Sequence, residues 1–190
     1  MTKRYVTLQK IEPTKKAQNF VHEASLVMPS SDLFFMNEAL KEARKAFAKD
    51  EVPVGAVLVH EGRIVSRGHN QVELLQDATA HAEVLCLTSG SVALKNWRLS
   101  GATLYSTLEP CCMCAGAMFS CRIDRLVFGA SDLRVGVCGS WINVFAHEHP
   151  IHKLEIVRGV LEEESSALMR EFFQKTRKKK NEPRSIAPFS

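Results

Sequence analysis

Apolar positions along this chain switch repeatedly between a helical and an alternating period, and the switches divide it into short helices and strands. Leu33, Met36, Leu40, Ala43 and Phe47 recur at helical spacing, with Lys41, Glu42, Arg44 and Lys45 off that stripe, which predicts an amphipathic helix over 32–48. Pro29-Ser30-Ser31-Asp32 supplies a turn with N-cap residues just ahead of it. Residues 54–59 and 64–68 are β-rich runs flanking Glu61-Gly62 and read as a hairpin. A loop over 71–79 then leads to a short buried helix from 81 to 87 or 89, ended by Gly90. Next come a strand over 103–108 closed by Pro110, a helix over 111–121 rich in small residues and methionine, and a strand over 125–129. A long loop, 130–153, precedes a strand over 154–159 and a final helix over 161–178. The order α-β-β-α-β-α-β-loop-β-α implies an α/β fold with a mixed sheet and helices on both faces.

At 190 residues and 45% hydrophobic side chains, the chain suffices for one buried core and is short for two. We expect one domain over 32–178, a poorly ordered N-terminal extension over 1–31 that lacks sustained periodicity, and a basic tail over 179–190. Neither a membrane-length apolar run nor a signal-peptide core is present, so the expected location is cytoplasmic, without a membrane partner. Plastid import is the alternative, and Glu12 and Glu23 argue against a transit peptide, which is normally poor in acids. The net charge of +4 is modest, but Lys175, Arg177, Lys178, Lys179, Lys180 and Arg184 crowd the C-terminal end. Such a run is either a solvated tail or a contact for a polyanion.

Six cysteines, three of them within four residues, suit metal or redox chemistry better than a disulfide framework in a chain of this size without a secretion signal. His81-Ala82-Glu83 and Pro110-Cys111-Cys112-Met113-Cys114 together supply one imidazole, two thiolates and a carboxylate. His81, Cys111 and Cys114 match the ligand set of an open catalytic zinc site, whose fourth position is left to a water with a pKa drawn down to roughly 7. Glu83 is too close in sequence to His81 to be an obvious fourth ligand and is placed to shuttle protons. A Cys-x-x-Cys pair alone also fits a redox dithiol, but the H-x-E…P-C-x-x-C conjunction is the signature of zinc deaminases. On a helix, Cys112 points away from the face shared by Cys111 and Cys114. Cys86, Cys121 and Cys138 are expected to be small buried residues. His147, Glu148, His149 and His152 lie in a polar loop and are expected to be exposed or locally hydrogen-bonded rather than a second metal site. Of the adjacent Phe172 and Phe173, at least one is expected in the core, and the other is a candidate stacking platform for a base.

Asn70, Thr79-Ala80-His81-Ala82-Glu83, the run from Thr103 through Glu109-Pro110-Cys111-Cys112-Met113-Cys114-Ala115-Gly116-Ala117-Met118, and Val127-Phe128-Gly129-Ala130 resemble the bacterial and plastid tRNA-specific adenosine deaminases. The resemblance covers residues 32 to 178. It implies a three-layer α/β/α cytidine-deaminase-like fold, a homodimer with one Zn²⁺ per subunit, and a tRNA anticodon stem-loop as partner. The implied reaction is hydrolysis of adenosine to inosine at the wobble position, 34, of an arginine tRNA with the anticodon ACG. It also implies that Asn70 contacts the flipped nucleotide, that the Ala82 backbone helps read the base, that Val52 and Pro53 line the pocket, and that Asp132 approaches a neighbouring ribose. Phe172-Phe173 followed by a basic run resembles that family's C-terminal end. The competing reading is a free-base or nucleotide deaminase for guanine, cytosine or deoxycytidylate on the same zinc site. A non-catalytic RNA-binding subunit is a third reading, against which the intact Glu83 speaks.

Overall fold

The chain runs β1 (Val21–Glu23), α1 (Ser30–Ala48), β2 (Gly55–His60), β3 (Arg63–His69), α2 (Val72–Leu75), α3 (Ala82–Ala93), β4 (Ala102–Leu108), α4 (Cys112–Cys121), β5 (Arg125–Ala130), β6 (Glu155–Arg158) and α5 (Glu162–Asn181). This is a computed structural model that describes residues 21–23, 30–146 and 152–181. The strands form one mixed sheet in the order β1-β6-β5-β4-β2-β3, in which β2 is antiparallel to β3 and β4, and the other pairs are parallel.

Strand periodicity separates the two buried layers. Ala56 and Leu58 of β2, Leu104 of β4, Leu126 and Phe128 of β5 and Ile156 of β6 pack with Cys86 and Leu87 of α3 and Ala115 and Met118 of α4. The alternate residues Val57, Val59, Tyr105, Val127 and Val157 point to the other face and meet Phe35, Met36 and Ala39 of α1. Helix α5 packs on β5 and β4 beside α1, completing the expected α/β/α sandwich. The β2–β3 turn is tight because Glu61 and Gly62 both adopt left-handed backbone, with φ of 50° and 71°, as a two-residue hairpin requires.

Several local expectations are corrected. Helix α3 does not stop at Gly90 but runs to Ala93. A Cβ on residue 90 would lie 2.3 Å from Leu58 Cδ2, so this glycine serves close packing of α3 on β2 rather than helix termination. The loop over 71–79 contains the single turn α2. Asp32 lies inside α1, and its carboxylate is held elsewhere: it accepts hydrogen bonds from Arg125 Nη1 and Nη2 at 2.9 and 2.8 Å and from Tyr105 Oη at 2.7 Å. That cluster ties α1 to β4 and β5. Residues Val21–Glu23, from the stretch without periodicity, pair with β6 as an edge strand, and the rest of 1–29 lies outside the described residues. Helix α5 runs on to Asn181, past the expected end at 178.

Candidate active site

Two helix starts meet at the carboxyl end of β4. His81 is the N-cap residue of α3 and Cys111 that of α4, both with extended backbone and neither using its side chain to cap. Their side chains are therefore free to turn toward each other, and Cys114 joins them from the first turn of α4. His81 Nδ1 lies 3.7 Å from Cys111 Sγ and 3.5 Å from Cys114 Sγ, and the two sulfurs are 3.6 Å apart. A tetrahedral zinc with ordinary Zn–S and Zn–N bonds calls for edges of about 3.75 Å between sulfurs and about 3.6 Å between sulfur and nitrogen. The three atoms thus already form one face of such a tetrahedron. They are a cluster of three metal-ligating side chains within reach of a single ion. Cys112, one residue along, is exposed and turned away, as its helical position requires.

The electrostatics of the cluster favour an anionic sulfur at Cys111. The hydrogen bond between the Cys111 and Cys114 sulfurs, with His81 adding to it, pulls the Cys111 pKa down to about 4, while the same bond and burial hold Cys114 above the thiol range. The bond to Cys111 in turn raises the pKa of His81. The positive ends of α3 and α4 act in the same direction as the imidazole. Glu83, in the first turn of α3, is 3% exposed, and burial raises its carboxyl pKa above the ordinary value. A buried carboxyl with a raised pKa beside a metal-ligand face is suited to both taking and giving a proton.

These groups form one wall of a cavity of about 280 Å³, which Val52, Asn70, Asp132 and Arg134 also line. The cavity adjoins a wider groove of about 790 Å³ along α5, lined in part by Arg134, Arg170, Phe173 and Arg177. Among the residues singled out from the sequence, His81, Glu83, Cys111, Asn70, Val52 and Asp132 come together on the cavity, with buried Cys114 behind them. Pro53 and Ala82 are buried but do not line it. Phe172 and Phe173 diverge: Phe172 is buried against Phe47 with ring centroids 5.8 Å apart, whereas Phe173 lines the groove beneath the Arg134 guanidinium. Cys86 and Cys138 are buried as expected, and Cys121 is half-buried. His152 bonds to the carbonyl of Ile123, while His147, Glu148 and His149 lie outside the described residues.

Two buried carboxylates on the cavity were not legible as site residues. Glu51, 1% exposed, accepts hydrogen bonds from Asn70 Nδ2 at 3.1 Å and from the Leu74 amide at 2.7 Å, so it orients Asn70 and anchors α2. Glu109, 2% exposed, binds backbone amides of the loop after β5. The available signal was an acid set directly against an apolar residue at a strand's edge, Glu51 before Val52 ahead of β2 and Glu109 after Leu108 at the end of β4. Arg134 carried no local signal.

The cytidine and deoxycytidylate deaminase zinc-binding region matches residues 29–130, more than half of the chain. A tRNA(adenine(34)) deaminase from the chloroplast of Arabidopsis thaliana is 52% identical over 75% of this chain, which spans 12% of that protein's length. The tRNA-specific adenosine deaminase of Bacillus subtilis is 49% identical, covering 82% of this chain and 96% of its own. A solved structure from work on A-to-I editing by tRNA:A34 deaminases superposes with a TM-score of 0.68 at 44% identity, over 71% of this chain and 98% of that one. A guanine deaminase from Nitrosomonas europaea, 22% identical with a TM-score of 0.63 over 83% of this chain and 90% of that one, shares the fold. A relative nearly half identical along almost its whole length, a matching zinc-binding region and a His-Cys-Cys face with a buried glutamate lead to one conclusion: the chain belongs to the tRNA-specific adenosine deaminases.

Proposed function

We propose that this chain hydrolyses the exocyclic amine of adenosine 34 in a tRNA, yielding inosine and ammonia, that it depends on one Zn²⁺ per subunit, and that its substrate is the arginine tRNA with the anticodon ACG. The observation that carries the reading is the tetrahedral face of His81, Cys111 and Cys114 with buried Glu83 beside it on one cavity. Zinc held by these three residues would supply a Lewis acid that makes water nucleophilic at neutral pH. The chain's own residues do the rest. Glu83 moves a proton from the water to N1 of the adenine and a second to the departing amine, as its raised pKa allows. Asn70, fixed by Glu51, and Val52 hold the base, and Asp132 lies where the neighbouring ribose would approach. Phe173, Arg134, Arg170 and Arg177 give the adjoining groove an aromatic face and cations suited to a single-stranded loop. The splayed anticodon loop lowers the cost of extruding the base.

What supports the homodimer is a set of exposed apolar side chains on the loop after β5, including Leu133 at 79% and Trp141 at 56% exposure, with Ile142 and Val144. Sedimentation velocity tests it: a monomer at micromolar concentration would overturn it. No helix among the described residues is long and apolar enough to cross a membrane. The reading is of a cytoplasmic enzyme, with a plastid as the alternative that the chloroplast relative raises.

The test incubates zinc-loaded protein with unmodified arginine tRNA bearing ACG, followed by nucleoside analysis, with free adenosine, cytidine and guanine as parallel substrates. Inosine confined to position 34 is the expected result. Ammonia from a free base or nucleoside with the tRNA untouched would move the chain to the small-molecule deaminases on the same metal chemistry.

A further inference from the structure

One loop is built around a single carboxylate. Glu109 follows β4 directly, its own amide donates to Ala130 O at 2.8 Å, and its side chain is 2% exposed. Oε2 accepts from the Asp132 amide at 3.0 Å, and Oε1 accepts from the amides of Cys138 and Ser140 at 2.7 and 3.2 Å. An ionised carboxylate offers about four acceptor positions, so three N–H donors nearly saturate it. The loop bends over it at Gly136, where a Cβ would stand 2.5 Å from Glu109 Cδ, Glu109 Oε2 and Asp132 O. The Val137 amide closes the wrap by donating to Pro110 O at 3.0 Å. This same loop carries Asp132, Arg134 and Val135 to the cavity, while Glu109 stands two residues from the metal-ligating Cys111.

We infer that Glu109 is a positioning residue for the substrate: its carboxylate gathers the amides of Asp132, Cys138 and Ser140 and so fixes the Asp132–Arg134–Val135 wall of the cavity at a set distance from the His81–Cys111–Cys114 face. The wall has no strand or helix of its own to hold it, and of its residues only Asp132 is buried, while 133–135 are exposed. Its geometry relative to the metal ligands therefore depends on a group covalently attached to the ligand-bearing segment. Glu109 meets that requirement without contacting the reacting atoms, because its oxygens are occupied by the loop. Losing it loosens the grip on substrate rather than the chemistry at the metal face.

This inference rests on the tRNA deaminase reading, and the experiment separates the two. Full-length, zinc-loaded wild type, Glu109→Gln and Gly136→Ala are compared for zinc content, for KM and kcat on the arginine tRNA, and for amide hydrogen exchange. Glu109→Gln replaces one acceptor oxygen by an NH₂ group that faces an N–H; Gly136→Ala forces the loop off an intact carboxylate. Both variants are expected to keep their zinc, to raise KM at least tenfold and to lower kcat less than threefold. In wild type, the amides of residues 132, 138 and 140 are expected to exchange at least tenfold more slowly than those of 133 and 135. Unprotected wild-type amides would overturn the inference whatever the variants do. So would zinc-loaded variants with an unchanged KM, or zinc loss with kcat lowered and KM intact, which would make Glu109 a support of Cys111 instead. A wild type inactive on tRNA would refute the deaminase reading, while the exchange data would still report on the loop.

Discussion

Phe172 and Phe173 are neighbours in sequence, yet their alanine variants are expected to fail in different ways. Phe172 is 7% exposed, and its ring meets Phe47 edge-on at 5.8 Å and 70°. Truncating a buried phenylalanine costs roughly 3–5 kcal/mol. Phe47 is itself half-buried, so the site can partly collapse, and we expect Phe172→Ala to sit at the low end, about 3 kcal/mol. At roughly 2–4 °C per kcal/mol for a chain of this size, the melting temperature falls by roughly 6–12 °C. Phe173 is half-buried and faces the groove with the Arg134 guanidinium 5.4 Å from its ring centre. Phe173→Ala is expected to cost about 1 kcal/mol of stability or less, the range of an exposed cation–π contact. If a base stacks on Phe173, its loss weakens anticodon stem-loop binding by about 1–3 kcal/mol, or roughly 5- to 150-fold in Kd. The assay pairs thermal unfolding by circular dichroism with fluorescence anisotropy of a labelled stem-loop at fixed salt. The reasoning is refuted if Phe172→Ala keeps its melting temperature but loses RNA affinity, or if Phe173→Ala binds as wild type does.

Glu83→Gln is expected to lower kcat by roughly 10²–10⁴-fold, with zinc content and RNA affinity near wild type; loss of metal on elemental analysis would mean that Glu83 is a ligand instead. Cys114→Ala removes one vertex of the metal face and should weaken zinc binding by more than the roughly 10–100-fold typical of disturbing an outer partner, measured by competition with a chromogenic chelator. Asp32 gives a pH dependence. Burial opposes its ionisation, but Arg125 and Tyr105 hold its pKa below the ordinary value of 3.8, so the stabilisation is complete above that value and is lost as pH falls through the folded pKa. Asp32→Asn is expected to cost about 2 kcal/mol at neutral pH, less than the loss of a fully buried ion pair because Arg125 is 23% exposed. The gap to wild type in urea unfolding should close in acid, and a gap constant down to pH about 2 would refute the assignment.

The metal face was legible because its chemistry is local. His81 and Glu83 are two residues apart, Cys111 and Cys114 share one helical turn, and both pairs open helices that the apolar pattern marks. The alternating strands were legible for the same reason. What escaped depended on partners remote in sequence or on backbone groups, which leave no side-chain pattern. Asp32 looks like a helix cap until Arg125, 93 residues away, claims its carboxylate. Gly90 looks like a helix stop until Leu58 is seen to need the space of its missing Cβ. Val21–Glu23 takes its strand conformation from pairing with β6 rather than from any period of its own. Glu51 and Glu109 bind amides of distant loops, so only the folded chain reveals what they do.

Those two carboxylates also resolve an apparent conflict in the site. Glu51, Glu73, Glu83, Glu109 and Asp132 all line a cavity proposed to take a nucleotide from a polyanion, an arrangement that like-charge repulsion would seem to forbid. Glu73 is exposed to solvent, which screens it, and the four buried ones are compensated locally. Glu51 is bonded to Asn70 and the Leu74 amide, Glu109 to three amides, and Asp132 to the Arg134 amide at 2.9 Å with the Arg134 guanidinium 3.5 Å away. Burial biases Glu83 toward its neutral form. The cations Arg134, Arg170 and Arg177 line the outer groove, where the chain flanking a flipped base would run. Under the proposed function, the inner cavity would meet a neutral base with hydrogen-bonding groups, while the groove, which Arg134 joins to it, would meet phosphates with positive charge. On that reading, separating the two functions by depth would let one site hold a proton-moving carboxyl within reach of a nucleic acid without repelling it.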